Sequence, residues 1–261
     1  MSSAQREMFG GIPQPYEIFC EDCLKGMDRI PDSSIDMILC DLPYGVTKNR
    51  WDAVIPFDDL WAQYRRVIKK NGAIVLFAEG MFMAKLMVSN PSMWRYNLVW
   101  DKVLTSGFLN ANRMPLRQHE QLCVFYQKSP TYNPQKKPGP RSHSKGAPKE
   151  CANNNYGEYR FIDNADEHGD LKFPTSIIRC QKPHPSKSLH PTEKPLVLCE
   201  ELIRTYTNPG ETVLDSCMGV ATTGLAAIRT GRRFVGFEIE QKYFDVGRDR
   251  LAEEVRCHGG D

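Results

Sequence analysis

The stretch Thr212–Glu240, TVLDSCMGVATTGLAAIRTGRRFVGFEIE, decides the fold. A β-branched apolar run ends at Asp215, small residues follow from Met218 to Gly224, and a helical pattern then runs to Thr230. A second apolar run, Phe234–Phe237, ends at Glu238, 19 residues beyond Gly219. This strand–loop–helix–strand order is the fingerprint of a nucleotide-type site. Small residues let backbone approach a ligand, and a distal acid can take ribose hydroxyls. Only Gly219 and Gly224 of a three-glycine pattern are present, because Ala221 stands between them. The loop alone is therefore equally compatible with a packing turn. The acids at the two strand ends narrow the ligand. Asp215 beside the loop would repel a phosphate, whereas a ligand with a ribose and a cationic head, such as S-adenosylmethionine, uses both carboxylates.

Outward from this unit, short apolar runs alternate with helical patterns, which argues for an α/β chain with a mainly parallel sheet and helices on its faces. Strands are predicted at Tyr16–Cys20, Asp36–Cys40, Ala73–Phe77, Tyr96–Trp100, Gln121–Tyr126, Thr212–Leu214 and Phe234–Phe237. The segment FDDLWAQYRRVIKKNG, residues 57–72, reads as an amphipathic helix with Leu60, Trp61, Tyr64, Val67 and Ile68 on its apolar face. Asp58 can cap its start and Asn71-Gly72 can stop it. Further helices fit residues 80–89, 196–206, 222–230 and 241–255.

The chain has 261 residues, enough for one large α/β domain, with 41% hydrophobic and 25% charged residues. No run approaches 18 apolar residues, so no membrane-spanning helix is expected. The N-terminus lacks the pattern of a secretory signal, and nine scattered cysteines read as reduced thiols of a cytoplasmic protein. The lone Cys20-x-x-Cys23 pair has no second pair or histidine partner, and no metal site is expected. The net charge of +2 conceals an uneven layout. Residues 127–194 are rich in Pro, Asn, Lys and Gly, and Lys128, Lys136, Lys137, Arg141, Lys145 and Lys149 follow one another with no acid between them. Such a segment is either a solvated loop or a polyanion contact.

The second informative stretch is Asp41-Leu42-Pro43-Tyr44 at the end of DMILC. It lies at the carboxyl edge of a predicted strand, where open α/β sheets bind ligands. Asp41 and the Leu42 carbonyl can each accept a proton of a planar amine, Pro43 fixes the backbone between them, and Tyr44 offers a ring for stacking. A plain Asp–Pro turn with a structural tyrosine fits the same four residues.

Taken with these motifs, the sequence resembles the β-class DNA amino-methyltransferases, which methylate adenine N6 or cytosine N4. Their D/S/N-P-P-Y tetrad matches Asp41–Tyr44, and their D-P-F-x-G-S-G-T-T loop matches Asp215–Thr223. Their H-P-T-x-K-P motif stands intact at His190–Pro195. The order is also that of the family, and the likeness runs from about Tyr16 to Val255. It implies a Rossmann-like methyltransferase fold with circularly permuted motif order. The sheet would be mainly parallel and seven-stranded, with one antiparallel edge hairpin strand. It implies a single catalytic domain, residues 1–261, with residues 127–185 as an inserted basic target-recognition region.

The implied cofactor is S-adenosylmethionine, with Asp22 toward its adenine, Glu238 toward its ribose and Lys194 near its carboxylate. Asp41, Asp215, Met218, Gly219, Thr222 and Thr223 complete that set. Asp22 and Glu238 could instead cap helices, and Lys194 could be a solvated lysine. The implied activity is methylation of a flipped base in double-stranded DNA, adenine N6 in preference to cytosine N4 because the tetrad begins with Asp. Methylation of RNA or of a protein amide, and a non-catalytic nucleic-acid-binding module, are the competing readings. Lys48 and Arg50, together with Lys128, Lys136, Lys137, Arg141 and Lys145, are the expected DNA contacts. The resemblance leaves room for a homodimer. Leu42 departs from the usual proline, Val220 is bulkier than the usual serine, and Ala221 is acceptable where the backbone needs no positive φ.

Overall fold

The computed structural model describes residues 15–46, 52–139, 151–153, 157–159, 170–182 and 193–258. In chain order its strands are β1 (Tyr16–Cys20), β2 (Ile35–Cys40), β3 (Ile68–Ala78), β4 (Trp94–Ser106), β5 (Arg117–Phe125), β6 (Lys137–Pro138), β7 (Cys151–Asn153), β8 (Gly157–Tyr159), β9 (Leu171–Lys172), β10 (Ile177–Arg179), β11 (Thr212–Asp215) and β12 (Arg233–Glu238). The helices are α1 (Cys23–Met27), α2 (Phe57–Val67), α3 (Gly80–Ser89), α4 (Leu196–Tyr206), α5 (Thr222–Arg229) and α6 (Gln241–His258).

One eight-stranded sheet runs β1-β12-β11-β2-β3-β5-β4-β10. Every neighbouring pair is parallel except those made by β5, which is antiparallel to both β3 and β4. This is the Rossmann-like methyltransferase fold, with the single reversed strand in a hairpin toward one side. The short β10, beside β4, adds an eighth strand to the seven expected. β1 lies next to β12, and β11 lies between β12 and β2.

The central strands are buried on both faces, so their sequences are nearly continuous apolar runs. Their period of two still sorts the side chains. Ile38, Cys40, Ile74 and Leu76 pack with Trp61 and Tyr64 of α2 on one face. Met37, Leu39, Val75 and Phe77 pack with Leu202 of α4 and Leu225 of α5 on the other. Trimming one such leucine to alanine costs about 2–5 kcal/mol.

Three expectations need correction. The helix from Phe57 stops at Val67, not at Asn71-Gly72, because Ile68 turns extended (ψ 138°) and pairs with Ile35 of β2. Gly72 instead lies inside β3, where an added Cβ would come within 2.8 Å of the Asp36 carbonyl. Asp58 sits in the first helical turn, and the cap position belongs to Pro56 without a side-chain bond. The β4–β5 hairpin is also longer than expected, reaching Ser106 and restarting at Arg117. Its register shifts between Asp101 and Ser106, where Val103 takes φ 64°, an unusual backbone for a β-branched residue.

The chain divides into two compact units, residues 134–175 and the remainder. Within the smaller unit β6 pairs with β9 and β7 with β8. Among the described residues no helix is long and apolar enough to cross a membrane.

Candidate active site

The carboxyl ends of β11, β12 and β2 open onto one cleft of about 370 Å³. Asp22, the Asp41–Tyr44 tetrad, Lys194, Asp215, Met218, Gly219, Thr222, Thr223 and Glu238 all line it, so the structure brings together every residue expected at the tetrad and the cofactor loop.

On the loop side, Asp215 ends β11 almost fully buried and accepts the Cys217 N–H at 3.0 Å. Burial pushes its carboxyl up to about 6, partly offset by the Thr223 hydroxyl, the Cys217 N–H and the Cys40 thiol. Glu238 takes the Gly219 N–H on Oε2 and the Glu240 N–H on Oε1, each at 2.8 Å. Burial raises its carboxyl too, against those backbone bonds. Neither acid has an ion-pair partner among the described residues. Asp22 caps α1 by accepting the Lys25 N–H and also lines the cleft, so its capping and site readings coexist.

The loop enters α5 through Ala221 at φ 60°. The position therefore does need positive φ, contrary to the expectation, and alanine there carries strain of about 1–2 kcal/mol. Alanine nevertheless fits sterically because Gly247 of α6 faces it. A Cβ on Gly247 would lie 3.1 Å from the Ala221 methyl. Gly224 has the packing role of the third glycine, since a Cβ there would meet the Phe234 ring at 2.7 Å.

On the tetrad side, Tyr44 donates its hydroxyl to Asp41 Oδ1 at 2.9 Å, and its ring lies on Phe82 with centroids 4.7 Å apart. One face of Tyr44 is thus used by the protein, and burial and the neighbouring Asp41 hold its phenol well above the usual range. Leu42 is buried. Lys194 Nζ sits 2.8 Å from Asp41 Oδ2 and 3.1 Å from Glu120 Oε2, and Lys102 meets Glu120 Oε1 at 3.2 Å. Burial alone would lower the Lys194 ammonium, but Asp41 and Glu120 hold it well above the usual lysine range. Burial would likewise raise Glu120, but Lys194 and Lys102 hold it below the usual value. In this structure Lys194 is a buried partner of Asp41, not a solvated lysine.

Sequence reasoning missed Glu120 and Lys102. Their only signal was a charge beside each predicted strand of the hairpin. It also missed Asp52, which accepts the Gly45 and Val46 N–H groups at 2.8 and 2.9 Å and fixes the turn after the tetrad. Glu193 of the H-P-T-x-K-P motif accepts the Thr222 hydroxyl at 3.2 Å and pairs with Arg250 at 3.0 Å. Arg250 also donates to the Val220 carbonyl at 2.7 Å, so this motif clamps the cofactor loop.

The expected DNA contacts are less well placed. Lys48, Arg50, Arg141 and Lys145 lie outside the described residues, as does Lys149. Lys128 is exposed, and its N–H donates to the Lys70 carbonyl near the start of β3, the sheet edge opposite Asp41. Lys137 lies on β6, and Lys136 stands 4.6 Å over the Phe173 ring within the 134–175 unit. Among the described residues no three His, Cys, Asp or Glu side chains form a metal-binding group.

A Rossmann-like sheet with one reversed strand, and with a cleft lined both by the small-residue loop after β11 and by the Asp41–Tyr44 turn after β2, has the architecture of a methyltransferase. Residues 35–249 match the family model described as DNA methylase, the N6/N4 group, and the chain belongs to that family. The DNA adenine methyltransferase YhdJ of Escherichia coli (strain K12) is 27% identical over 91% of this chain and 82% of its own. Among solved structures, the complex of M1.HpyAVI with S-adenosylmethionine superposes with TM-score 0.61 at 23% identity, covering 90% of this chain and 98% of that one. The cytosine-N4-specific PvuII DNA methyltransferase gives 0.63 at 14% identity, covering 94% and 93%. These two likenesses concern the fold.

Proposed function

We propose that this DNA methylase transfers a methyl group from S-adenosylmethionine to the exocyclic N6 of adenine in double-stranded DNA, with the base flipped into the cleft. The observation that carries the reading is the cleft's division of labour. Asp41, clamped by Tyr44 and Lys194, faces the same space as Asp215 and Glu238, which pair with no cation among the described residues. The preference for adenine rests on the Asp-headed tetrad and on likeness to an adenine enzyme. The 127–185 region is assigned target recognition within one catalytic domain, by the same resemblance.

The residues present fit the cofactor. Asp215 and Glu238 offer buried negative charge to a cationic ligand, Glu238 and Asp22 keep acceptor capacity for hydroxyls and an amine, and Gly219 keeps the loop slender. When bound there, S-adenosylmethionine supplies a methyl carbon on positively charged sulfur. Asp41 accepts a hydrogen bond from the target amine and orients its lone pair. As the nitrogen–carbon bond forms, the sulfur–carbon bond would break to leave a neutral thioether, so positive charge passes from sulfur to that nitrogen, where the Asp41 carboxylate stabilises it. The amine then sheds a proton, which its alkylation has made acidic, to solvent water. Tyr44 holds the base by its ring and Asp41 by its hydroxyl. No covalent nucleophile is needed. Extracting the base costs roughly a few kcal/mol, which contacts to the flipped base and the opened duplex must offset.

Digesting DNA to nucleosides after incubation with enzyme and S-adenosylmethionine tests the reading by mass spectrometry. N6-methyladenosine in its deoxy form is expected. N4-methylcytosine would replace the adenine assignment, and no methylated nucleoside from any DNA would overturn the reading.

A further inference from the structure

The β4–β5 hairpin carries a surface that the catalytic scheme does not use. Its strands pass Ala78, the last residue of β3, at the pairs Ala78–Gln121 and Trp100–Glu120, and continue beyond the sheet. Because β3 is parallel to β2, this is the same edge from which Asp41 follows Cys40. The stem is continuous with the site, since Glu120 in it, itself paired with Lys102, holds Lys194, which holds Asp41.

The stem is braced from several directions. Arg117 pairs with Glu79 at 2.7 Å, Gln118 donates to Asp101 at 3.0 Å, and Lys182 donates to the Thr105 carbonyl at 3.4 Å. The tip is also ordered. Gly107 at φ 85° starts a tight 3₁₀ turn, Phe108–Asn110, in which Asn110, Ala111, Arg113 and Met114 donate N–H groups back to Gly107, Phe108 and Asn110. This preformed turn points large apolar groups outward. Leu109 is 97% exposed, Phe108 79% and Met114 54%. No acidic residue lies between Lys102 and His119, and Arg113 has no ion pair among the described residues.

We infer that this tip is a wedge for duplex DNA, with Phe108 and Leu109 entering the base stack beside the extruded nucleotide and Arg113 meeting the phosphates. Apolar side chains on a rigid support separate base steps in this way in proteins that distort DNA. The tip's charge suits a polyanion, and its place beside the base-accepting cleft suits the gap that flipping leaves. The inference rests on the proposed function, because a wedge is useful only to an enzyme that must extract its target.

The test uses the double variant Phe108→Ala/Leu109→Ala in the full chain. The recognition sequence is first mapped by sequencing plasmid DNA methylated by the wild type. Methylation is then timed on two oligonucleotide duplexes with that site, one fully paired and one mismatched at the target base. A mismatched base is easier to extract. The variant is expected to lose at least about tenfold in rate on the paired duplex and to recover to within about threefold of wild type on the mismatched one. Equal rates of variant and wild type on paired DNA would overturn the wedge, as would an equal loss on both duplexes. So would a wild-type dimer that becomes monomeric in the variant, which would assign the tip to contact between copies. A wild type that methylates no DNA would instead remove the proposed function, and the wedge with it.

Discussion

The two walls of the cleft hold their carboxylates in opposite ways. Asp41 is neutralised from within, by Lys194 at 2.8 Å, and that lysine is shared with Glu120, itself paired with Lys102. Among the described residues Asp215 and Glu238 are held by N–H, hydroxyl and thiol groups and by no cation, and burial raises both carboxyls. The first wall fixes a carboxylate in position for a neutral amine. The second leaves negative charge unsatisfied in a buried place, which a cationic ligand can relieve. The proposed function places chemistry at the first wall and cofactor capture at the second.

The largest effect that would sharpen this contrast is loss of Lys194. Lys194→Gln leaves Asp41 and Glu120 facing each other without their shared cation. Breaking a buried pair from one side costs about 3–5 kcal/mol. Thermal or urea unfolding should show that loss, and the acid limb of the pH–rate profile should move to higher pH. The double variant Lys194→Gln/Glu120→Gln should regain part of the stability, because it removes the like-charge pair. A Lys194→Gln protein with unchanged stability and pH profile would break the comparison.

Asp215→Asn should do the reverse. The free protein should be no less stable at neutral pH, because an ionised buried carboxylate without a cation has been removed. Cofactor binding, read by calorimetry, should weaken by about ten- to a hundredfold, the worth of a hydrogen-bonded charge at about 1.5–3 kcal/mol. The wild type should show a matching pH dependence. Asp215 titrates near 6, above the unfolded value, so its ionised form opposes folding. The stability it contributes is present at low pH and is lost as pH rises through about 6. Affinity for the cationic cofactor runs the other way and falls as pH drops through the same point. A flat affinity from pH 7.5 to 5 would remove Asp215 from cofactor capture.

The legible parts of this molecule were the ones written locally. The β11–α5–β12 unit and the Asp41–Tyr44 tetrad announce themselves because a loop against a ligand needs small residues and a strand end needs its acid within a few positions. What stayed hidden depends on distant pairing. Glu120 and Lys102 become meaningful only when β5 reverses between β3 and β4 and brings Glu120 between Lys194 and the Lys102 of β4. The length of α2 was misjudged because Ile68-Lys69-Lys70 continues the helical pattern, while pairing of Ile68 with Ile35 draws it into the sheet. The fit of Ala221 at positive φ was obscured because the room for its methyl comes from Gly247, 26 positions further on. The hairpin tip has no periodicity at all, since its shape comes from a turn and its apolar groups face outward.

The division between the two walls is tested most directly by Asp41→Ala, assayed for fold, cofactor binding and methyl transfer in the same preparation. The expected result is a folded protein that still binds S-adenosylmethionine through the opposite wall and forms methylated nucleoside more slowly by about 10²–10³-fold. A folded Asp41→Ala protein that kept substantial methyl transfer would contradict the account.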